Sequence, residues 1–195
     1  WEWLHKLRRA MVRPNRDKLS GVVEVNETLI GGEHSGKRGR GSEGKALVLV
    51  AAESTQKNIG RIRLSVIKNS SSNEIDNVIQ KMVSAGSTIR SDGWAGYSNL
   101  NTIGYSHISA TNNNIKNHDE IQAAHRVASL LKRWIVGTHH GAISHKNLPY
   151  YLDEFTFRFN RRTSKSRGKL FYRLIQQAIE IDPVPAKSLN TICSG

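Results

Sequence analysis

GVVEVNETLI, residues 21–30, alternates apolar and polar side chains and is rich in β-branched residues, the pattern of a strand with two unlike faces. Along it Glu24, Asn26 and Thr28 share one face, and Val23, Val25 and Glu27 the other. Downstream, KALVLVAAE (45–53) is a short buried-strand pattern, and IGRIRLSVI (59–67) alternates apolar and basic residues, so two more strands are expected. SSNEIDNVIQKMVSAG then reads as a covering helix, with the serines and Asn73 as N-cap candidates, Gly86 as the stop, and Ile75, Val78, Ile79 and Met82 as its apolar stripe. STIRSDGWAGY is a short strand ending at Asp92, TNNNIKNHDEIQ (111–122) a polar loop. A long helix is expected from near Ala123 to Gly137, a second from about 147 to 162, and RLIQQAIEI adds one further turn or two. Three strands, a helix, a strand and then helices make an α/β order with a mixed sheet, which fits a ribonuclease-H-like core. In such a core the first and fourth strands lie side by side, and residues from both meet a residue of a later helix at one edge.

Composition narrows the partner. A chain of 195 residues is long enough for one sizeable core. Its net charge of +13 implies a polyanion, with nucleic acid the default and a ribosomal or general RNA-binding protein the bland alternative. The sole cysteine, Cys193, excludes a disulfide framework and a cysteine-rich zinc site. The longest apolar run, ALVLVAA at 46–52, is too short to span a bilayer, and the opening WEWLHKLRRAM is basic and amphipathic, unlike a signal peptide. The expectation is a soluble, cytoplasmic protein with no membrane partner. In the opening segment Trp1, Leu4, Leu7 and Met11 or Val12 recur at helical spacing among Lys6, Arg8, Arg9 and Arg13, which suits a DNA-contacting helix and a solvated one equally.

Two basic segments stand out. Lys37, Arg38 and Arg40 lie in the glycine-rich stretch GGEHSGKRGRGSEGK (31–45), an exposed hairpin loop suited either to phosphate contact or to solubility. Arg158, Arg161 and Arg162, followed by Lys165, Arg167 and Lys169, cluster in FRFNRRTSKSRGK (157–169), where Phe157 and Phe159 read as core residues and a solvated basic face is the alternative. Phosphate neutralisation on this scale makes binding steeply salt-dependent. In HRVASLLKRW (125–134), Val127, Leu130, Leu131 and Trp134 form a packing stripe. His125 and Lys132, seven residues apart, are offset by roughly 20° at about 100° per residue and share a polar face roughly opposite that stripe, with Ser129 on the same side. Spacing alone fits a surface histidine and lysine as well as a cleft.

VEVNETLIGG (23–32), SDGWAGY (91–97) and HRVASLLKRWIVGTHHGAISHKNLPYYLDEFTFRFNRR (125–162) together resemble the ISXO-type insertion-sequence transposases of the DDE class. The last block is the most specific of the three. In that family the first block reads VEVDE, the second DGWxGY, and the helix carries Glu, Asn or His as third ligand with a lysine seven residues later. The resemblance implies Asn26, Asp92 and His125 as metal ligands and Lys132 as a phosphate-holding catalytic residue. It implies two-metal phosphoryl transfer with Mg²⁺ or Mn²⁺, the ions about 3.5–4 Å apart, on double-stranded DNA at transposon ends and target sites, by a homodimer. It also divides the chain: 1–18 as the end of an N-terminal helical DNA-binding region whose zinc ribbon is missing, 19–163 as the ribonuclease-H-like catalytic domain, and 164–195 as a basic C-terminal tail.

Asn26 departs from the pattern. An amide has one acceptor oxygen and no charge, so it bridges two cations poorly where a carboxylate would do so. His125 offers a neutral nitrogen, tolerable for Mn²⁺ and poorer for Mg²⁺. The expectation is therefore a transposase core whose cleavage is impaired, the alternative a catalytically silent, transposase-derived DNA-binding protein. A nuclease or RNA-processing enzyme on the same fold stays open but is opposed by the C-terminal block. Substitution by Glu24, on the same strand face, would move the carboxylate by roughly 6.5–7 Å.

Overall fold

The computed structural model describes residues 2–12, 16–31, 45–55, 58–110, 121–139, 143 and 145–185. These form two compact units, one of residues 18–145 and one of residues 1–17 with 146–195.

The 18–145 unit is built on a five-stranded sheet. Strands β1 (Val22–Ile30), β2 (Ala46–Ser54) and β3 (Ile59–Ile67) run antiparallel in succession, and β4 (Thr88–Ser91) and β5 (Ser106–Ser109) add in parallel beside β1, giving the order β3-β2-β1-β4-β5. Three antiparallel strands followed by parallel ones, with the first and fourth adjacent, is the ribonuclease-H-like arrangement expected from the order of elements. The fifth strand was not expected. Its four residues, SHIS, sit on the sheet edge with no fully buried side chain, so no apolar alternation announces it.

Alternation along β1 sorts the two faces. Val23 and Val25 enter a core with Leu49, Ala51, Ile67 and Ile89, sealed by Ile75, Val78, Ile79 and Met82 of helix α2 (Ser72–Met82). All four stripe residues expected for that helix are buried there. Ser71 caps it, its Oγ accepting the Glu74 N–H, and the helix ends at Met82, before Gly86, because Val83 turns extended to bridge Leu19. Glu24, Asn26 and Thr28 face the other side with their β2 partners Ala52, Val50 and Val48, and helix α3 (Gln122–His139) packs on β1 and β2.

The second unit joins the ends of the chain. Helix α1 (Glu2–Ala10) packs on α4 (Leu148–Asn160) and α5 (Arg167–Ile179), with Ala10, Met11, Phe157 and Leu174 at the centre and Leu7, Ala178 and Ile181 around them. Helix α5 runs for 13 residues, longer than the turn or two expected. Arg8 is buried in α1, while Trp3 and Leu4 are exposed, so the packed face of α1 is rotated from the apolar spacing of the sequence. The reason is electrostatic. Arg8 Nε donates to Glu154 Oε2 at 2.7 Å and its guanidinium lies over the Tyr151 ring, which places that side of α1 inward.

Candidate active-site edge

Asp92 follows directly on β4, and the loop behind it is tightly specified. Its Oδ1 accepts the Trp94 N–H at 3.1 Å, closing a turn across Gly93, whose φ of 72° suits glycine. The Trp94 indole N–H donates to the Ser70 carbonyl at 3.1 Å and so ties the loop to the start of α2. A Cβ on Gly96 would stand 2.6 Å from Trp94 Nε1 and 2.7 Å from the Ser70 carbonyl oxygen, so only glycine fits beneath the indole. Tyr97 is fully buried. The DGWxGY block is thus a folding unit that fixes the Asp92 backbone, with Tyr97 packed into the core beside Leu100 and Tyr105. On the opposite face, Ser91 Oγ and His107 Nε2 lie 2.8 Å apart, linking β4 to β5, and burial holds the His107 imidazole below its usual pKa.

The β1–β4 ladder pairs Val22 with Thr88 and Glu24 with Arg90, where the pairing ends; Asn26 lies two residues beyond Glu24 on the β1 face that α3 covers, and Asp92 two residues beyond Arg90, just past the end of β4. Asn26 is half-buried and pairs on its other side with Val50.

Helix α3 brings the remaining two residues. Its buried side chains are Ala123, Ala124, Val127, Ala128, Leu131 and Ile135, whereas Leu130 and Trp134 are only half-buried. The packed stripe is therefore rotated from the one read in the sequence. Small alanines let the helix approach the sheet closely on their side. His125 and Lys132 are exposed and lie about 100–120° from the centre of the stripe, flanking the packed face where the sequence placed them opposite it. They stand about 10.5 Å apart along the helix axis.

Sequence reasoning missed what holds this helix. Glu24 is buried, and its Oε2 accepts the N–H of Ala123 at 2.6 Å and of Ala124 at 3.1 Å. The first N–H groups of a helix have no intrahelical partner, and a carboxylate there also meets the positive end of the helix dipole. To move toward a metal beside Asn26, Glu24 would leave those donors buried and unpaired, at about 1–3 kcal/mol each. Glu27, the other neighbouring carboxylate, points to the opposite face of β1.

The candidate donors named from the sequence, Asp92, Asn26 and His125, would offer one carboxylate, one amide oxygen and one imidazole. Among the described residues no three His, Cys, Asp or Glu side chains group to hold a metal ion. A pair of divalent cations brings four positive charges against the single negative charge of Asp92, and the residues present do not fit it.

The basic candidates are placed unevenly. Lys37, Arg38 and Arg40 lie outside the described residues. Arg158 pairs with Glu154, Nη2 to Oε1 at 2.8 Å, and burial of that carboxylate is outweighed by hydrogen bonds from Arg8 and Arg158, which hold it below the usual range. Arg161 and Arg162 fold back over the Phe157 and Phe159 rings at 3.9 and 4.0 Å and donate to the Phe157 and Phe159 carbonyls, capping the end of α4. Both phenylalanines are buried, as expected of core residues.

A mixed sheet of order β3-β2-β1-β4-β5 with helices packed on it defines an α/β protein of the ribonuclease-H-like class. Residues 18–160 match the ISXO2-like transposase domain, and the chain belongs to that family. No curated protein matches. Among solved structures, one similar chain is that of the Mos1 mariner paired end complex with Mn, at 9% identity and a TM-score of 0.29 over 92% of this chain. This chain spans 63% of that one's length. Among the described residues no helix is long and apolar enough to cross a membrane.

Proposed function

We propose that the chain is the core of an insertion-sequence transposase that binds double-stranded DNA at transposon ends and target sites, and that Asn26 leaves its strand cleavage impaired. The family membership supports the class of activity, and the sequence supports the impairment: Asn26 stands in VEVNE where the resembled family pattern VEVDE has an aspartate. Mg²⁺ or Mn²⁺ is the cofactor implied by that family. With Asn26 in place the candidate donors lack a carboxylate able to bridge two ions. Asp92 supplies the remaining charge at the end of β4, His125 a neutral donor on α3, and Lys132 a cation for a DNA phosphate two turns along the same helix. Lys37, Arg38, Arg40, Arg158, Arg161 and Arg162, within a net charge of +13, extend the DNA contact.

The same asparagine favours a second reading, a catalytically silent DNA-binding protein. Nicking of supercoiled plasmid in Mn²⁺, run on this protein and on Asn26→Asp side by side, separates the two. We expect the aspartate variant to nick at least about 100-fold faster, a barrier difference of about 2.7 kcal/mol. Equal cleavage by both would contradict the ligand assignment, and silence from both would favour the binding role.

A second copy of the chain is the partner for assembly. Phe171, Ile175 and Ile179 form an exposed stripe along α5 with Tyr172 beside it. Lys169 and Arg173 stand toward one end of this stripe and Glu180 and Asp182 at the other, so antiparallel self-pairing would set opposite charges against each other. Sedimentation of Ile175→Glu tests this, the expected result being a monomer where the parent protein is a dimer, and an unchanged dimer contradicting it.

A further inference from the structure

We propose that Glu24 is the positioning residue of this edge: by holding the first turn of α3 it sets where His125 and Lys132 stand relative to Asn26 and Asp92. The inference rests on the reading of that edge given above, and it assigns Glu24 no contact with DNA or metal.

Three observations converge on it. The carboxylate is buried, and the partners described for it are two backbone donors, Ala123 and Ala124, that lie 99 and 100 residues away in sequence. An ordinary helix cap comes from the residue just before the first turn, so a cap supplied from a central strand ties two distant elements together. Glu24 also shares its strand face with Asn26, two residues on, and its β4 partner Arg90 lies two residues before Asp92. On the helix, His125 follows the two held residues immediately. The same carboxylate therefore has one candidate ligand two positions away along β1 and another one position away along α3. The alanines add to the effect, because their short side chains bring the helix axis close to the sheet and leave the hydrogen bonds to fix its sliding and rotation. A charged acceptor is suited to this task, since it binds two N–H groups at once at the positive end of the helix.

Cleavage depends on placement at the scale of an ångström, where a shift of that size costs up to about 100-fold in rate. Glu24→Gln retains one acceptor oxygen and similar volume. It is expected to preserve the fold, to speed amide exchange at Ala123 and Ala124, to move the imidazole resonances of His125, and, in the Asn26→Asp form, to lower the maximal nicking rate roughly 10-fold with the Mn²⁺ half-saturation unchanged. Glu53→Gln is the control. Glu53, paired with Val23 on the sheet face away from α3, holds Arg61 and the Ser20 N–H, so its loss lowers stability without removing a contact to α3. That variant should leave His125 and the nicking rate as they were.

Faster exchange with an unmoved His125 and full nicking would show Glu24 to be structural only and overturn the proposal. A rise in Mn²⁺ half-saturation with unaltered exchange would make Glu24 a ligand and overturn it equally. If Asn26→Asp does not nick at all, the reading of the edge fails separately, and the His125 resonances of Glu24→Gln in the parent protein decide the positioning role: a shift supports it, and no shift refutes it.

Discussion

In the unit made of residues 1–17 and 146–195, charges close on one another: buried Arg8 and exposed Arg158 share the buried Glu154, and Arg161 and Arg162 fold onto their own helix. In the 18–145 unit the buried carboxylate of Glu24 holds backbone, and the side chains that carry candidate chemistry stand at an edge, Asp92 and Asn26 half-buried, His125 and Lys132 exposed. The contrast shows why a count of charges says little about function. Several arginines that look like a DNA-binding cluster in the sequence also shape a helical module, whereas the edge proposed for cleavage has a single formal negative charge among its candidate ligands.

Perturbing each unit sharpens that contrast. The largest stability effect is expected from Arg8→Met, which leaves Glu154 buried with only Arg158 and should cost about 3–5 kcal/mol, read by chemical denaturation. A loss under about 1 kcal/mol would place Glu154 in contact with solvent and break the account of that unit. Gly96→Ala comes next, at roughly 1–3 kcal/mol, because the new methyl collides with the Trp94 indole and the Ser70 carbonyl. A fluorescence change of Trp94 should accompany it, and an unchanged melting temperature would mean that the loop is not clamped.

Asp153 and Glu154 are neighbours with opposite pH signatures. Burial pushes the Asp153 carboxyl up to about 6, with Arg16 at 3.8 Å offsetting it only in part. The folded state therefore keeps its proton while the unfolded chain ionises, so this contribution to stability is present below about pH 4 and is lost as pH rises through 6. Glu154 is depressed and acts in the reverse sense, contributing above the unfolded carboxylate range and losing its contribution as pH falls. Asp153→Asn should raise stability at pH 8 by about 1–2 kcal/mol and flatten the profile between pH 4 and 6, and an unchanged profile would contradict the assignment. The smallest effect belongs to Arg162→Ala, about 0.5–1 kcal/mol for a lost helix-end hydrogen bond. Its DNA affinity tests whether that guanidinium also serves phosphate: the salt slope should fall by about 1, and an unaltered slope would confine Arg162 to capping.

Much of the fold was legible. The period-2 pattern of GVVEVNETLI assigned both faces of β1, and the Ile75–Met82 stripe gave α2, because each signal is local and set by burial on one side. Asn26 and Asp92 were singled out through the resemblance of their blocks to the family pattern, and the printed pairing of β1 with β4 ends two residues before each of them. What escaped was non-local. The rotation of α3 depends on alanines meeting a sheet and on a carboxylate from β1, the docking of α1 depends on Glu154 far along the chain, and β5 is four edge residues with no alternation to detect. Glu24 was readable as a polar residue on the right face, but its partners are backbone N–H groups, which leave no mark in a sequence.

The most direct test of the central claim, that the edge lacks one carboxylate for a pair of cations, is a calorimetric titration of Mn²⁺ into this protein and into Asn26→Asp. The account predicts at most one weakly bound ion in the parent protein and a second ion, with tighter binding overall, in the aspartate variant. Identical stoichiometry and affinity in the two proteins would contradict it.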